Sequence, residues 1–274
     1  MTAKEDWQGT AGEGWAAEWK RTDRSFGGLT ERLLARTGEF PFRDALDIGC
    51  GAGELSLALA RGHPRARVVG VDVSPRLVAT ARERATQLPN VEFELADAAQ
   101  WHPVDDFAPQ LLVSRHGVMF FADPPAAFTN FAGLAADGAA LLFSCFRGRD
   151  ENPFFSEIGS LLPVPVEPGD PYAPGPFAFA ERDHVRAILT DGGWTDVAFE
   201  PFDFAMIAGA GEDPVEDAVG FFQRIGPAAA AIRQMDEGPR DDTLAAIRQV
   251  AEAHCREGVV ALRAACWIVT ARLG

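Results

Sequence analysis

The chain has 274 residues, 47% apolar and 24% charged, with 25 basic side chains against 40 acidic ones, a formal net charge of −15. That composition excludes disorder and a disulfide-held mini-scaffold, and the length suits one large domain with insertions. An acidic surface repels phosphate backbones and anionic lipids, so small molecules or peptides are the expected partners, not nucleic acid or membrane. Cys50, Cys145, Cys255 and Cys266 show no C-x-x-C spacing, and the N-terminus MTAKEDWQGT is polar and charged, unlike a signal peptide. Arg115, Asp123 and Asp137 interrupt the most apolar stretch before it reaches the roughly 18 residues of a membrane span. The expected location is the cytoplasm.

In chain order, the first 40 residues, with Trp7, Trp15, Trp19, Leu29, Leu33 and Leu34, read as helical and as packing on a sheet core or over its edge. Short β-rich runs then alternate with helical patterns. Asp44 to Ile48 reads as a buried strand, the glycines at 49, 51 and 53 as a turn, and Glu54 to Arg61 as a helix. Arg67 to Val73 is a second strand; Ser74 caps a helix with Pro75 at its first position, running to about Leu88. Val91 to Leu95 and Gln110 to Ser114 are the next strands, Asp123-Pro124 caps a helix through Ala136, and Ala139 to Phe146 is a fifth strand. Strands joined by helical crossovers imply a parallel sheet covered on both faces.

Seven of the 19 prolines fall between Pro153 and Pro176, so residues 147–180 are expected to be irregular. A helix from Glu181 to about Asp191, a strand from Thr195 to Glu200, helical stretches from Pro214 to about Met235 and Thr243 to Glu257, and a last strand from Ala264 to Arg272 complete the chain.

The chemistry gathers at the first turn. Glycines between a strand and a helix let a ligand approach the backbone and the free N–H groups of the helix start, as nucleotide-like cofactors require. In the dinucleotide pattern G-x-G-x-x-G the third glycine would fall at position 54, where this chain has Glu54, whose charge would face a pyrophosphate. The spacing here is G-x-G-x-G, preceded by Asp47, an acid able to complement a cationic amine. Both departures favour a cofactor with a positive amino-acid portion and no phosphates. Asp72 ends the second strand, where a carboxylate can accept both ribose hydroxyls, and Asp97 follows the third, where an adenine amino group could be read.

The segment 44–146, through LDIGCGAG, VGVDVS, LADA and LLVSRHGVMFFADP, resembles the class I S-adenosylmethionine-dependent methyltransferases; 181–200 and 264–272 resemble them less specifically. The resemblance implies an α/β fold, a Rossmann-like, mostly parallel seven-stranded sheet with helices on both faces and helical lid insertions. It implies S-adenosyl-L-methionine as cofactor, with Asp47, Gly49, Gly51 and Gly53 at its methionine portion, Asp72 and Val73 at the ribose, and Asp97 and Ala98 at adenine. It divides the chain into a helical cap (1–43), a cofactor-binding core (44–146), a Pro-rich part of a substrate lid (147–180), more core (181–208), a helical lid insertion (209–258) and a last core strand (259–274). The subgroup it is most like comprises bacterial enzymes acting on small molecules.

His116, after the fourth strand, is the candidate general base, since an imidazole titrating near 6.5 suits neutral pH; lining the pocket is its plainer role. Arg115 is counted with the cofactor residues, or binds a substrate carboxylate, or points into structure. Asp123-Pro124-Pro125 matches the D-P-P-[YF] motif of enzymes methylating the amino groups of bases, but Ala126 stands in the aromatic position and a helix cap explains the rest. His63, His102, His184 and His254 lack metal-ligand spacing, so no metal is expected, and His254-Cys255 reads as two faces of one helix. No Y-x-x-x-K, P-loop or G-x-S-x-G motif occurs. The expected reaction is in-line displacement of a methyl group to an O, N or C nucleophile, for which a base is optional. An NAD(P)-dependent oxidoreductase and a non-catalytic cofactor-binding protein are the alternatives.

Overall fold

The computed structural model describes residues 4–162, 170–226 and 228–274. The five expected parallel strands form as β1 Asp44–Ile48, β2 Arg67–Asp72, β3 Val91–Leu95, β4 Leu111–Arg115 and β5 Ala140–Phe146. Every residue of β5 is buried and β1 is buried after its first residue, as a sheet covered on both faces requires; β3, at the edge, alternates instead. The order is β3-β2-β1-β4-β5-β8-β6, with β6 Trp194–Ala210 and β8 Val259–Leu273 antiparallel to the rest. A two-residue β7, Cys255–Arg256, pairs with β8 off this path and makes the sheet eight-stranded. The order reverses between β1 and β4, and the crevice at such a reversal, outside the carboxyl ends, is where this class of sheet takes ligands.

The N-terminal segment forms α1 Lys4–Gln8, α2 Thr10–Ala17 and α3 Trp19–Thr37. Phe26, Leu29 and Leu33 share one face of α3 and are buried in the main core. The crossovers are α4 Glu54–Gly62, α5 Pro75–Arg84 and α6 Pro124–Leu134. Ser74 and Asp123 accept from the backbone N–H three residues on, capping α5 and α6 with proline at the first position. α5 ends at Arg84, and a turn carries the chain to Leu88, where Pro89 disfavours helical backbone.

Several boundaries depart from the sequence reading. Pro153 begins α7, Pro153–Ser160, because proline costs nothing where the first-turn N–H has no helical partner; Phe154, Phe155 and Ile158 are buried there. Residues 163–169, with three of the seven prolines, lie outside the described residues, and 170–180 is turns. α8 is Arg182–Asp191. The helix expected from Pro214 to Met235 is two, α9 Pro214–Arg224 and α10 Ala229–Gln234, broken at Gly226, whose φ of +94° suits only glycine. A Cβ at Gly226 would lie 2.6 Å from the Phe154 ring, so the break seats α7. α11 is Glu237–Ala253, and His254-Cys255 is therefore no helical pair: Cys255 opens a hairpin turned by Glu257 and Gly258, both at positive φ.

β6 runs 17 residues where six were expected, and β8 runs 15. β6 continues through Pro201 because it is an edge strand, where a missing N–H is tolerated. β8 leaves β5 beyond Cys266 and continues with β6 to Val259, where β7 pairs with its first two residues. Both α3 and α9 pack on β6. Among the described residues no helix is long and apolar enough to cross a membrane.

Candidate active site

Gly49, Gly51 and Gly53 all take left-handed backbone, at φ +66°, +55° and +84°. The Gly49 and Cys50 N–H groups both donate to the Val71 carbonyl, at 2.9 and 3.1 Å, and bind the turn to the end of β2. Asp72 completes the hold. Its Oδ2 accepts from the Gly51 N–H and its Oδ1 from the Ser74 N–H, each at 2.8 Å. Burial raises this carboxyl above the usual aspartate range, and the N–H groups of Ser74, Gly51 and Val73 oppose the rise. A Cβ at Gly51 would meet nothing within 4 Å, so the loop presents an open backbone face there.

Asp47, 1% exposed, lies beneath the turn and accepts a short hydrogen bond from Ser56 Oγ on α4. Burial pushes it up to about 6, against the Ser56 hydrogen bond and the Arg115 charge. Asp97 caps a short 3-10 turn, Ala98–Gln100, by accepting from the Ala99 N–H at 3.1 Å, and its other oxygen takes Lys4 Nζ at 2.7 Å. Val73 is half-buried and Ala98 is buried.

Arg115 is committed to protein partners. Its Nη1 pairs with Glu54 and donates to Thr30 Oγ1 at 2.9 Å, and its Nη2 lies 4.0 Å from Asp23. Burial pushes Glu54 up to about 7, with Arg115 pulling it down. The neighbouring His116 has left-handed backbone, φ +62°, and stacks on Phe146 at 4.1 Å with the edge of Phe26 at 5.6 Å. Its Nδ1 is 3.4 Å from Ser144 Oγ and its Nε2 3.7 Å from Cys266 Sγ. Burial, then the Arg115 charge, lowers it to about 3, so the imidazole is neutral at physiological pH.

Two residues to which the sequence assigned no site role, Ser114 and Gly117, complete the turn. Ser114 Oγ donates to the Ile48 carbonyl at 2.7 Å and accepts from the Gly117 N–H at 3.0 Å. A Cβ at Gly117 would sit 2.5 Å from that same carbonyl. The only available signal was a glycine two residues past a strand end, which by itself indicates no more than a turn.

The start of the chain lies across three strand ends. Lys4 reaches Asp97 after β3, and Trp7 sets its ring edge-to-face against Phe120, 5.1 Å away after β4, and Trp15, 5.6 Å away. Gly12 backs on Ser74 after β2, where a Cβ would be 2.3 Å from the hydroxyl. Trp7 Nε1 is buried with no partner among the described residues. An open left-handed glycine loop, an acid locked on its N–H groups and an unpaired buried donor in the covering helix fit a polar amino-acid-bearing nucleoside.

Residues 45–138, about a third of the chain, match the family described as a methyltransferase domain. A trans-aconitate 2-methyltransferase from Methylobacterium radiotolerans is 38% identical over 109 residues, 40% of this chain and 40% of that one, so the match spans less than half of that relative. One of the same name from Paracidovorax citrulli is 28% identical over 215 residues, 74% of this chain and 82% of its own. The structure of phosphoethanolamine N-methyltransferase 2 from Haemonchus contortus in complex with S-adenosyl-L-methionine shares the fold, with a TM-score of 0.57 at 15% identity over 99% of this chain and 60% of that one. None of these likenesses supports the dinucleotide-dependent alternative. Where its third glycine would fall, Glu54 holds Arg115.

Proposed function

We propose that this protein transfers a methyl group from S-adenosyl-L-methionine to a carboxylate oxygen of a small organic acid. The observation that carries the reading is the lock of Asp72 on the Gly51 and Ser74 N–H groups, at a strand end beside the open face of a left-handed glycine loop. The cofactor supplies an electrophilic methyl on a sulfonium leaving group. Asp72 and Val73 would hold the ribose, Asp97 and Ala98 the adenine, and the loop Gly49, Gly51 and Gly53 the methionine portion, with Asp47 supporting the loop from below. Arg115 acts on the site through Glu54.

The carboxylate acceptor is favoured by the names of the relatives and by His116. A carboxylate attacks without losing a proton, and an imidazole lowered to about 3 is a weak base for a hydroxyl. His116 then lines the acceptor side with Phe26 and Phe146, where a dry apolar wall strengthens the alignment of nucleophile and methyl. The described residues of the cap 1–43 and of the segments 147–180 and 209–258 would form the lid of that chamber. A small molecule is preferred over a peptide, and a charge of −15 opposes nucleic acid and anionic membrane. Four free cysteines support a reducing, cytoplasmic setting.

The test is transfer of labelled methyl to trans-aconitate, other small carboxylic acids, phenols, amines and peptides. An alkali-labile ester of a small acid is expected. Tight S-adenosylhomocysteine binding with alkali-stable products alone would overturn the acceptor class, and absence of binding would overturn the function.

A further inference from the structure

The cofactor loop is tied to the N-terminal helices through side chains that touch neither reactant in the reading above. Arg84, in the last turn of α5, donates from Nη1 to the Ala52 carbonyl inside the loop and from Nη2 to Asp23 Oδ2 on α3, both at 2.6 Å. Trp19, one helical turn before Asp23, lays its ring 3.9 Å from the guanidinium carbon. Arg84 and Asp23 are 17% and 16% exposed, so the pair works largely out of water. Arg115 approaches Asp23 from the other side and holds Glu54, the residue after Gly53. Asp23 thus stands between two arginines that grip the loop at Ala52 and at Glu54.

A planar guanidinium with two committed arms fixes direction as well as distance, and charge-assisted bonds of this kind are roughly twice as strong as neutral ones. Anchoring the Ala52 carbonyl fixes the peptide plane that leads into Gly53, and that plane sets which backbone groups the loop offers to a ligand. We propose that Asp23 and Arg84 are positioning residues that set loop 49–53 for the cofactor, so that docking of α3 is felt as cofactor affinity. The proposal rests on the loop's being the cofactor loop.

The test measures S-adenosylhomocysteine affinity by calorimetry on the full chain carrying Asp23→Asn, Arg84→Lys, both together, or Arg32→Gln. Asparagine keeps the shape of Asp23 without its charge, and lysine keeps the charge of Arg84 without the second arm. Arg32 also lies on α3 but pairs with Glu200, away from the loop, so its replacement loosens the same helix at another point. Each of the first two variants is expected to weaken binding about tenfold, the double variant no more than the weaker single, and Arg32→Gln less than twofold. In turnover, KM for the cofactor rises and kcat holds. Affinities within twofold of the unmodified chain, multiplying effects, or an equal loss in Arg32→Gln would overturn the positioning role alone. An unmodified chain that binds no S-adenosylhomocysteine would overturn the function with it.

Discussion

Gly49 and Gly117 touch backbone to backbone: a Cβ on Gly49 would lie 2.9 Å from the Gly117 Cα, and one on Gly117 3.0 Å from the Gly49 Cα. The turns after β1 and β4 therefore close on each other with no space for a methyl group. Gly117 has φ −78°, which alanine adopts freely, so Gly117→Ala tests contact and not backbone strain. It is expected to cost about 1–3 kcal/mol of stability by overpacking and to weaken S-adenosylhomocysteine binding by displacing Gly49. Urea midpoints and calorimetry check both, and a variant unchanged in each would show that the turns yield freely.

Asp72→Asn replaces an oxygen that accepts by an amide that donates. With N–H groups of Gly51 and Ser74 already pointing at the side chain, one donor must face another. The expected outcome is at least about a tenfold loss of S-adenosylhomocysteine affinity, since leaving a buried donor unpaired costs roughly 1–3 kcal/mol. Asp72→Ala should abolish binding. Unaltered affinity in both would place the ribose elsewhere.

His116 makes a statement about pH. Lowered to about 3, it stays neutral over the range in which an ordinary histidine gains its proton. With a carboxylate acceptor, kcat/KM is expected to show no acid limb that depends on His116, any change between about pH 6 and 7 belonging to Asp47 and Glu54 at the loop. His116→Asn should leave that shape as it is. An acid limb near 6.5 that vanishes in the variant would make His116 the base.

Asp47 carries the opposite sign. Its carboxyl is pushed up to about 6 in the folded chain from an ordinary 3.8, so the native state holds the proton more tightly than the unfolded one. That contribution to stability is fully present below pH 3.8 and lost as pH rises through 6. At 1.36 kcal/mol per pH unit the loss is about 3 kcal/mol. Asp47→Asn is expected to gain on the unmodified chain between pH 4 and pH 7, read by denaturant unfolding without ligand. A variant that loses ground over this interval would show the ionised carboxylate to be the stabilising form.

Much of this architecture was written locally. Asp44 to Ile48 and Val91 to Leu95 have the strand bounds that their apolar runs indicate, and Ser74-Pro75 and Asp123-Pro124 start their helices by chemistry contained within four residues. The glycine turn and Asp72 were legible because a strand, a turn and an acid at the next strand end form a short-range pattern. The rest depends on partners far apart in the chain. Arg115 meets Glu54 61 residues away and Thr30 85 away, which no spacing reveals. β6 extends past Glu200 to Ala210 because β8, which starts more than fifty residues beyond Glu200, pairs along it. Pro153 misled for another reason: proline forbids a helix interior but favours its first residue, and composition does not distinguish the two.

Ala210 and Val259 are register partners at the far end of β6 and β8, so the chain departs from the sheet and rejoins it at one place. All of α9, α10 and α11 hangs from that point as an excursion already closed at its base. The entropy of closing such a loop grows only slowly with its length. Changes of length are therefore tolerated outside α9, whose Phe221 and Phe222 are buried in the main core and hold it to β6. Under the proposed function, selection on the methyl acceptor can act there while the glycine turn and its acids, more than a hundred residues earlier in the chain, keep their shape.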